Sequence, residues 1–251
     1  TQGAYLHVRS GKVDLDRLEF YLSMVQTSSP SYVIMAFLDI ARGIMQEHGE
    51  EYLNELLDNI KWFEKGLKEL DKFSLLGRED ICHGDKDRTR LVINCKSLGI
   101  SGFKLDFLLR SRFNIQVEMS DMNNIVCITT IADKRADFEK LLEALREVHE
   151  KDAFGCREVL PDTGTADIEI PPRLIELGDM AGIEGCRVNI EDSVGMVSRR
   201  SIIPYPPGIP VVCPGELITR EIVDCIRLTT SLGGSVTGLG EDMTIDVAKL
   251  S

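Results

Sequence analysis

The chain has 251 residues, 43% hydrophobic and 28% charged, enough to bury a core in one large or two modest domains. Its 29 Lys and Arg against 41 Asp and Glu give a formal charge of −12, which excludes a basic nucleic-acid footprint and leaves room for a cationic substrate. The longest apolar run, Tyr32 to Leu38, falls well short of the roughly 18 residues of a membrane span. The opening residues, with Gln2, His7 and Arg9, do not read as a secretory leader. No membrane and a cytoplasmic setting are therefore expected.

Taken in chain order, Gly3 to Val8 reads as a strand, with a turn at Ser10 to Lys12. A helix is predicted from about Leu15 to Val25. After Gln26-Thr27-Ser28-Ser29-Pro30 a second helix begins near Ser31, because Ser caps helix starts and Pro is favoured at the first helical position. Its opening run Tyr32-Val33-Ile34-Met35-Ala36-Phe37-Leu38 has no polar face, which predicts burial of its first two turns. A long amphipathic helix follows over Glu50 to Lys72, with Leu53, Leu56, Ile60, Phe63, Leu67 and Leu70 on one stripe.

The pattern then shifts, and a domain boundary is placed near Asp71 to Leu75. Strands are expected at Thr89 to Cys95, Ile115 to Glu118 and Ile125 to Ile131. Helices are expected at Phe103 to Ser111 and Lys134 to Glu150, the latter with Phe138, Leu141, Leu142, Leu145 and Val148 inward. This order predicts a small α/β layer domain. Beyond Cys156 the chain is more irregular. Five of the nine prolines lie between Pro204 and Pro214, and a helix runs from Thr219 to about Leu232 with Ile222, Val223 and Ile226 inward.

The seven cysteines are Cys82, Cys95, Cys127, Cys156, Cys186, Cys213 and Cys225. They are too scattered for zinc-type or thioredoxin-type pairs, so no metal is expected and most should pack as small reduced hydrophobes. Cys82 beside His83 is the sole adjacent pair of ligand types. Nucleotide, zinc-protease and serine-hydrolase signatures are absent. The run Gly233-Gly234-Ser235-Val236-Thr237-Gly238-Leu239-Gly240 follows a helix, and so reads as a helix stop rather than a phosphate loop.

Two constellations can carry chemistry. Thr27-Ser28-Ser29-Pro30 stands at a helix start: it is either a cap or a set of hydroxyls at a positive helix end, a natural place for a phosphate. The stiff loop Tyr205-Pro206-Pro207-Gly208-Ile209-Pro210 with Pro214-Gly215-Glu216 is either a rigid linker or a rim holding Tyr205 and Glu216 beside a pocket. A carboxylate held there can pair with an ammonium or guanidinium group.

These residues also carry a resemblance. Thr1-Gln2-Gly3-Ala4-Tyr5-Leu6-His7-Val8 and Gln26-Thr27-Ser28-Ser29-Pro30-Ser31-Tyr32 resemble the stretch just after the cofactor lysine in bacterial ornithine/lysine/arginine decarboxylases. The segment Gln116-Val117-Glu118-Met119-Ser120-Asp121 and the loop from Tyr205 to Glu216 are similar to later family segments, in the same order. The resemblance implies an α/β fold in three parts. These are the end of the fold-type I aminotransferase-like large domain (1–73), a small α/β domain (74–152) and a C-terminal α+β region (153–251).

It further implies a pyridoxal-phosphate-dependent lyase that decarboxylates a basic amino acid, arginine or lysine before ornithine, as a homodimer or higher oligomer. Thr27, Ser28 and Ser29 would contact the cofactor phosphate, with Thr27 serving the partner subunit's site. Glu216 and Tyr205 would contact the substrate. The Schiff-base lysine, in a Ser-x-His-Lys segment of the family, is expected upstream of the position matching Thr1. The ring-stacking histidine and the aspartate for the pyridine nitrogen are not found either, so the chain alone is expected to be inactive until its amino-terminal half is supplied in cis or in trans. Arg199 and Arg200 depart from the small and acidic residues expected there. A non-catalytic subunit that dimerises with an active decarboxylase is the alternative. A cysteine-desulfurase-like enzyme is a third reading, and it would need an exposed, activated cysteine.

Overall fold

The computed structural model describes residues 3–151, 169–205 and 208–249. The chain forms two compact units, Thr1–Glu55 and Leu56–Ser251, and the division falls inside one long helix.

In the first unit, helix α1 spans Leu15–Val25 as expected, and its cap Asp14 accepts a hydrogen bond from the Arg17 N–H at 3.1 Å. Helix α2 spans Tyr32–Leu67 without interruption, where two helices are predicted from sequence. Gly43 and Gly49 lie inside it, and each costs about 1 kcal/mol relative to Ala, which a run of this length absorbs. Ser31 is the cap: its hydroxyl accepts from the Ile34 N–H at 3.4 Å and its carbonyl from the Met35 N–H at 3.0 Å. Pro30 therefore stands before the cap rather than at the first helical position.

Two further expectations are corrected in this unit. Residues 3–10 form no strand, because a strand exists only through a partner and no ladder reaches this segment among the described residues. The opening turns of α2 are exposed instead of buried, with Tyr32 at 81% and Phe37 at 67%. Exposed apolar surface of this kind marks a contact site.

In the second unit the last turns of α2 bury Leu56, Ile60, Phe63 and Leu67, at the spacing of one helix face. They meet helix α4 (Arg135–Glu150), whose Phe138, Leu141, Leu142, Leu145 and Val148 are buried as predicted. Phe63 and Phe138 meet edge to face, ring centres 6.2 Å apart. A four-stranded antiparallel sheet completes this core, in the order β1 (Ser74–Leu75), β2 (Arg90–Asn94), β4 (Asn124–Ile128), β3 (Met119–Ser120). Leu91 and Ile93 of β2 point inward and Arg90 outward, the period-two pattern of a half-covered sheet.

The strand expected at Ile115 to Glu118 forms instead at Met119–Ser120. Its position is set by a tight turn, in which the Asp121 carboxylate accepts from the N–H groups of Asn123 and Asn124 at 2.7 and 2.8 Å. Helix α3 (Gly102–Phe113) starts at Ser101, whose hydroxyl accepts from the Lys104 N–H. It starts at glycine because a Cβ at position 102 would run into the carbonyl oxygens of Asn124 and Asp121.

After helix α5 (Leu177–Met180) come strands β5 (Gly185–Asn189) and β6 (Ile203–Tyr205) and helix α6 (Arg220–Ser231). Strand β7 (Ser235–Thr237) and strand β8 (Thr244–Ala248) follow. β5 pairs with β8 and β6 with β7, both antiparallel. A second core of Ile190, Ile202, Val212, Ile218, Ile222, Val223, Ile226, Ile245 and Val247 lies under α6. Helix α6 falls where expected, and Thr219, read from sequence as its first residue, is its cap. The glycine-rich run acts as a helix stop, with the Gly233 and Gly234 N–H groups bonded back to the carbonyls of Thr230 and Thr229. Helices packed on sheets over two cores make the α/β arrangement expected from sequence.

Candidate functional site

The sequence-predicted site residues fall in both units, Thr27, Ser28 and Ser29 in the first and Tyr205 and Glu216 in the second. The three hydroxyl residues are exposed and lie just before α2. The Thr27 hydroxyl accepts from the Ser29 N–H at 3.2 Å, a local turn that leaves its own proton free to be donated. Ser31, not this segment, caps the helix.

Glu216 is buried and fully engaged. Its Oε1 accepts from the Arg173 guanidinium at 3.0 Å and its Oε2 from the Cys213 N–H at 2.7 Å. The Cys213 bond closes the Pro214-Gly215 turn onto its own glutamate, and Arg173 ties that turn to the segment before α5. Gly215 is required here for two reasons. Its φ is +86°, and a Cβ would strike the Ile175 carbonyl. The N–H groups of Leu174 and Ile175 both donate to the Gly215 carbonyl, at 2.8 and 3.1 Å. Sequence reasoning singled out Glu216 but not Arg173, which stands 43 positions away with no local signal.

Tyr205 lies elsewhere, half exposed on the rim of a cleft of about 650 Å³ inside the second unit. Phe103, Asp106, Phe107 and Arg110 of α3 form one wall, and the segment from Gln116 to Ser120 forms another. That segment is one of those carrying the family resemblance. Glu216 does not line this cleft. The Asp106 Oδ2 accepts the Ser120 hydroxyl at 3.3 Å, while its Oδ1 is shielded from solvent without a partner. Sequence reading passed over Asp106 and Arg110, although their spacing with Phe103 and Phe107 places all four on one helix face.

Arg199 and Arg200, the residues that depart from the family pattern, converge on Asp246. Their guanidinium groups reach its carboxylate at 3.2 and 3.1 Å, and Arg199 also donates to the Ile183 carbonyl at 2.9 Å. They brace the β5–β8 ladder.

The described thiols differ in exposure, and Cys156 lies outside the described residues. Cys95 and Cys225 are buried, Cys127 and Cys213 partly so, and Cys82 and Cys186 exposed. Burial, reinforced by the Asp106 carboxylate, pushes the Cys127 thiol up to about 12, and burial also raises that of Cys225. A raised thiol is a poorer nucleophile, the opposite of an activated one. No cluster of His, Cys, Asp or Glu able to hold a metal occurs among the described residues. No helix among them is long and apolar enough to cross a membrane.

Comparison with known proteins places these features. Residues 1–81 match the family model described as Orn/Lys/Arg decarboxylase, major domain, and residues 179–244 the model described as Orn/Lys/Arg decarboxylase, C-terminal domain. The chain is 33% identical to an arginine decarboxylase of Halalkalibacterium halodurans over 96% of its own length and 50% of that protein's. It is 33% identical to an arginine decarboxylase of Bacillus subtilis over 100% of its length and 51% of the relative's. The solved constitutive lysine decarboxylase of E. coli shares the fold, with a TM-score of 0.72 at 19% identity over 96% of this chain and 46% of that one. The chain thus spans about half the length of the relatives it matches. Both ends of the chain answer to models of the same family, with full-length likeness between them, and the chain belongs to the Orn/Lys/Arg decarboxylase family.

Proposed function

We propose that this chain is a working part of a pyridoxal-phosphate-dependent decarboxylase that converts a basic amino acid to its amine and carbon dioxide. Arginine or lysine is the proposed substrate, before ornithine. The observation that carries this reading is the 33% identity to two arginine decarboxylases over 96% and 100% of the chain. In parallel with the family, the chain is read as the end of a cofactor-binding domain (1–73), a small α/β domain (74–152) and a C-terminal region (153–251). The two separate cores on either side of residue 152 support the last division.

The donor set of the first unit suits the cofactor's phosphate. Exposed Thr27, Ser28 and Ser29 precede the start of a 36-residue helix, where N–H groups and the positive end of the helix dipole favour an anion. When bound, pyridoxal phosphate supplies the electron sink for the electrons of the broken carbon–carbon bond. Thr27 to Ser29 would hold its phosphate in the partner subunit's site, and Tyr205 and Glu216 would contact the substrate. The cofactor-bearing lysine belongs, by the resemblance, to the amino-terminal half, in cis or in trans. That half and a second subunit are the partners suited to the exposed apolar turns of α2.

The reading is tested by assaying carbon dioxide release from arginine, lysine and ornithine by the polypeptide or complex that contains this chain. Release from one basic amino acid, lost on removing the cofactor, is expected. Release from none of the three would overturn it.

A further inference from the structure

Glu216, proposed above as a contact for a cationic substrate, already holds a cation of its own chain. The Arg173 guanidinium donates to its Oε1 at 3.0 Å, and the Cys213 N–H to its Oε2 at 2.7 Å. The Glu216 side chain is only 10% exposed, whereas that of Arg173 is 36% exposed. The carboxylate thus lies inside, and the guanidinium covers it from the solvent side. That guanidinium forms no second hydrogen bond or ion pair among the described residues.

The backbone around Arg173 is held independently of this ion pair. The Leu217 N–H donates to the Pro172 carbonyl at 3.0 Å, and the Leu174 and Ile175 N–H groups donate to the Gly215 carbonyl. The Arg173 side chain can therefore leave Glu216 by rotation about its own bonds while the backbone bonds stay closed. The space it vacates opens to solvent, because the guanidinium that fills it is one-third exposed. A buried carboxylate that loses its only charged partner is strongly destabilised, so the vacated seat favours another cation.

We infer that Arg173 is a built-in competitor for the substrate's cationic end, and that an alkylguanidinium enters the Glu216 seat by displacing it. Like replaces like: the incoming guanidinium makes the same charge-assisted hydrogen bond to Oε1. The exchange tunes affinity, since a ligand for a seat that is open only part of the time binds more weakly by that fraction. The inference rests on the reading of Glu216 as a substrate contact. Its test needs neither cofactor nor turnover, so cation binding and carbon dioxide release can fail separately.

The test removes the competitor. In the Arg173→Ala chain, ethylguanidinium chloride at millimolar concentration should raise the melting temperature. Tetramethylammonium chloride, which donates no hydrogen bond, should not. By calorimetric titration, L-arginine should bind this variant roughly tenfold tighter than it binds the parent chain, and adding Glu216→Gln should abolish the gain. Arg173→Gln, which keeps a hydrogen-bond donor but no charge, carries the same test if circular dichroism shows that Arg173→Ala does not fold. The inference is overturned if L-arginine binds the variant no tighter than the parent, or if the two salts act alike. It is equally overturned if the gain survives Glu216→Gln, which would put the ligand elsewhere.

Discussion

Glu216 has a structural role, and mutation can separate it from the proposed role in substrate recognition. As the partner of Arg173 and the Cys213 N–H it holds a turn closed, and the resemblance also makes it a reader of a cationic substrate. Arg173→Gln leaves the buried carboxylate short of a charged partner, which should lower stability in urea by about 1–3 kcal/mol. Unchanged stability would show that the pair contributes nothing to the fold. Glu216→Gln in the assembled enzyme should raise KM for a cationic substrate about tenfold, or 1.4 kcal/mol. An unchanged KM with lowered stability would leave Glu216 with the structural role alone. Thr27→Val, at an exposed site, should weaken pyridoxal phosphate binding in the assembled enzyme about tenfold with no change in melting temperature; unchanged cofactor affinity would remove Thr27 from the site.

Cys127 ties a residue to a pH range. Its thiol, pushed up to about 12, stays protonated in the folded chain, whereas an unfolded thiol ionises near about 8.5. The stability it contributes is fully present below about 8.5 and is lost as pH rises towards the folded value. Relative to Cys127→Val, the parent chain should therefore lose stability between about pH 8 and about pH 10.5. Parallel thermal-melt profiles would contradict this.

At the scale of elements, α2 and α4 hold the first core together. Phe63 is fully buried against Phe138, and Phe63→Ala should cost about 3–5 kcal/mol in urea unfolding. A cost below about 1 kcal/mol would mean that the helix does not pack as described. Helices α4 and α6 were legible from the spacing of their inward apolar residues, Phe138 to Val148 and Ile222 to Ile226. Strands were less so: residues 3–10 have strand-like composition but no ladder partner among the described residues, and the placement of Met119–Ser120 follows from the Asp121 turn rather than from hydrophobicity. Of the site, Thr27, Tyr205 and Glu216 could be named from sequence. Arg173 and the unpaired state of Asp106 could not, since both depend on contacts between distant segments.

For the whole molecule, the exposed apolar turns at the start of α2 and the half-length match to relatives lead to one expectation. On the proposed reading, the chain supplies the carboxy-terminal part of an enzyme whose cofactor lysine lies in the other part. Tyr32, Val33, Met35 and Phe37 are exposed at the start of α2, apolar surface of the kind that marks a contact site. The most direct measurement is to combine this chain with the amino-terminal half of its enzyme and follow carbon dioxide release from arginine and lysine, with and without pyridoxal phosphate. Cofactor-dependent release from the combination, and none from either half alone, is the predicted result. No release from the combination, although the halves associate and the cofactor binds, would contradict the decarboxylase account and favour a non-catalytic subunit.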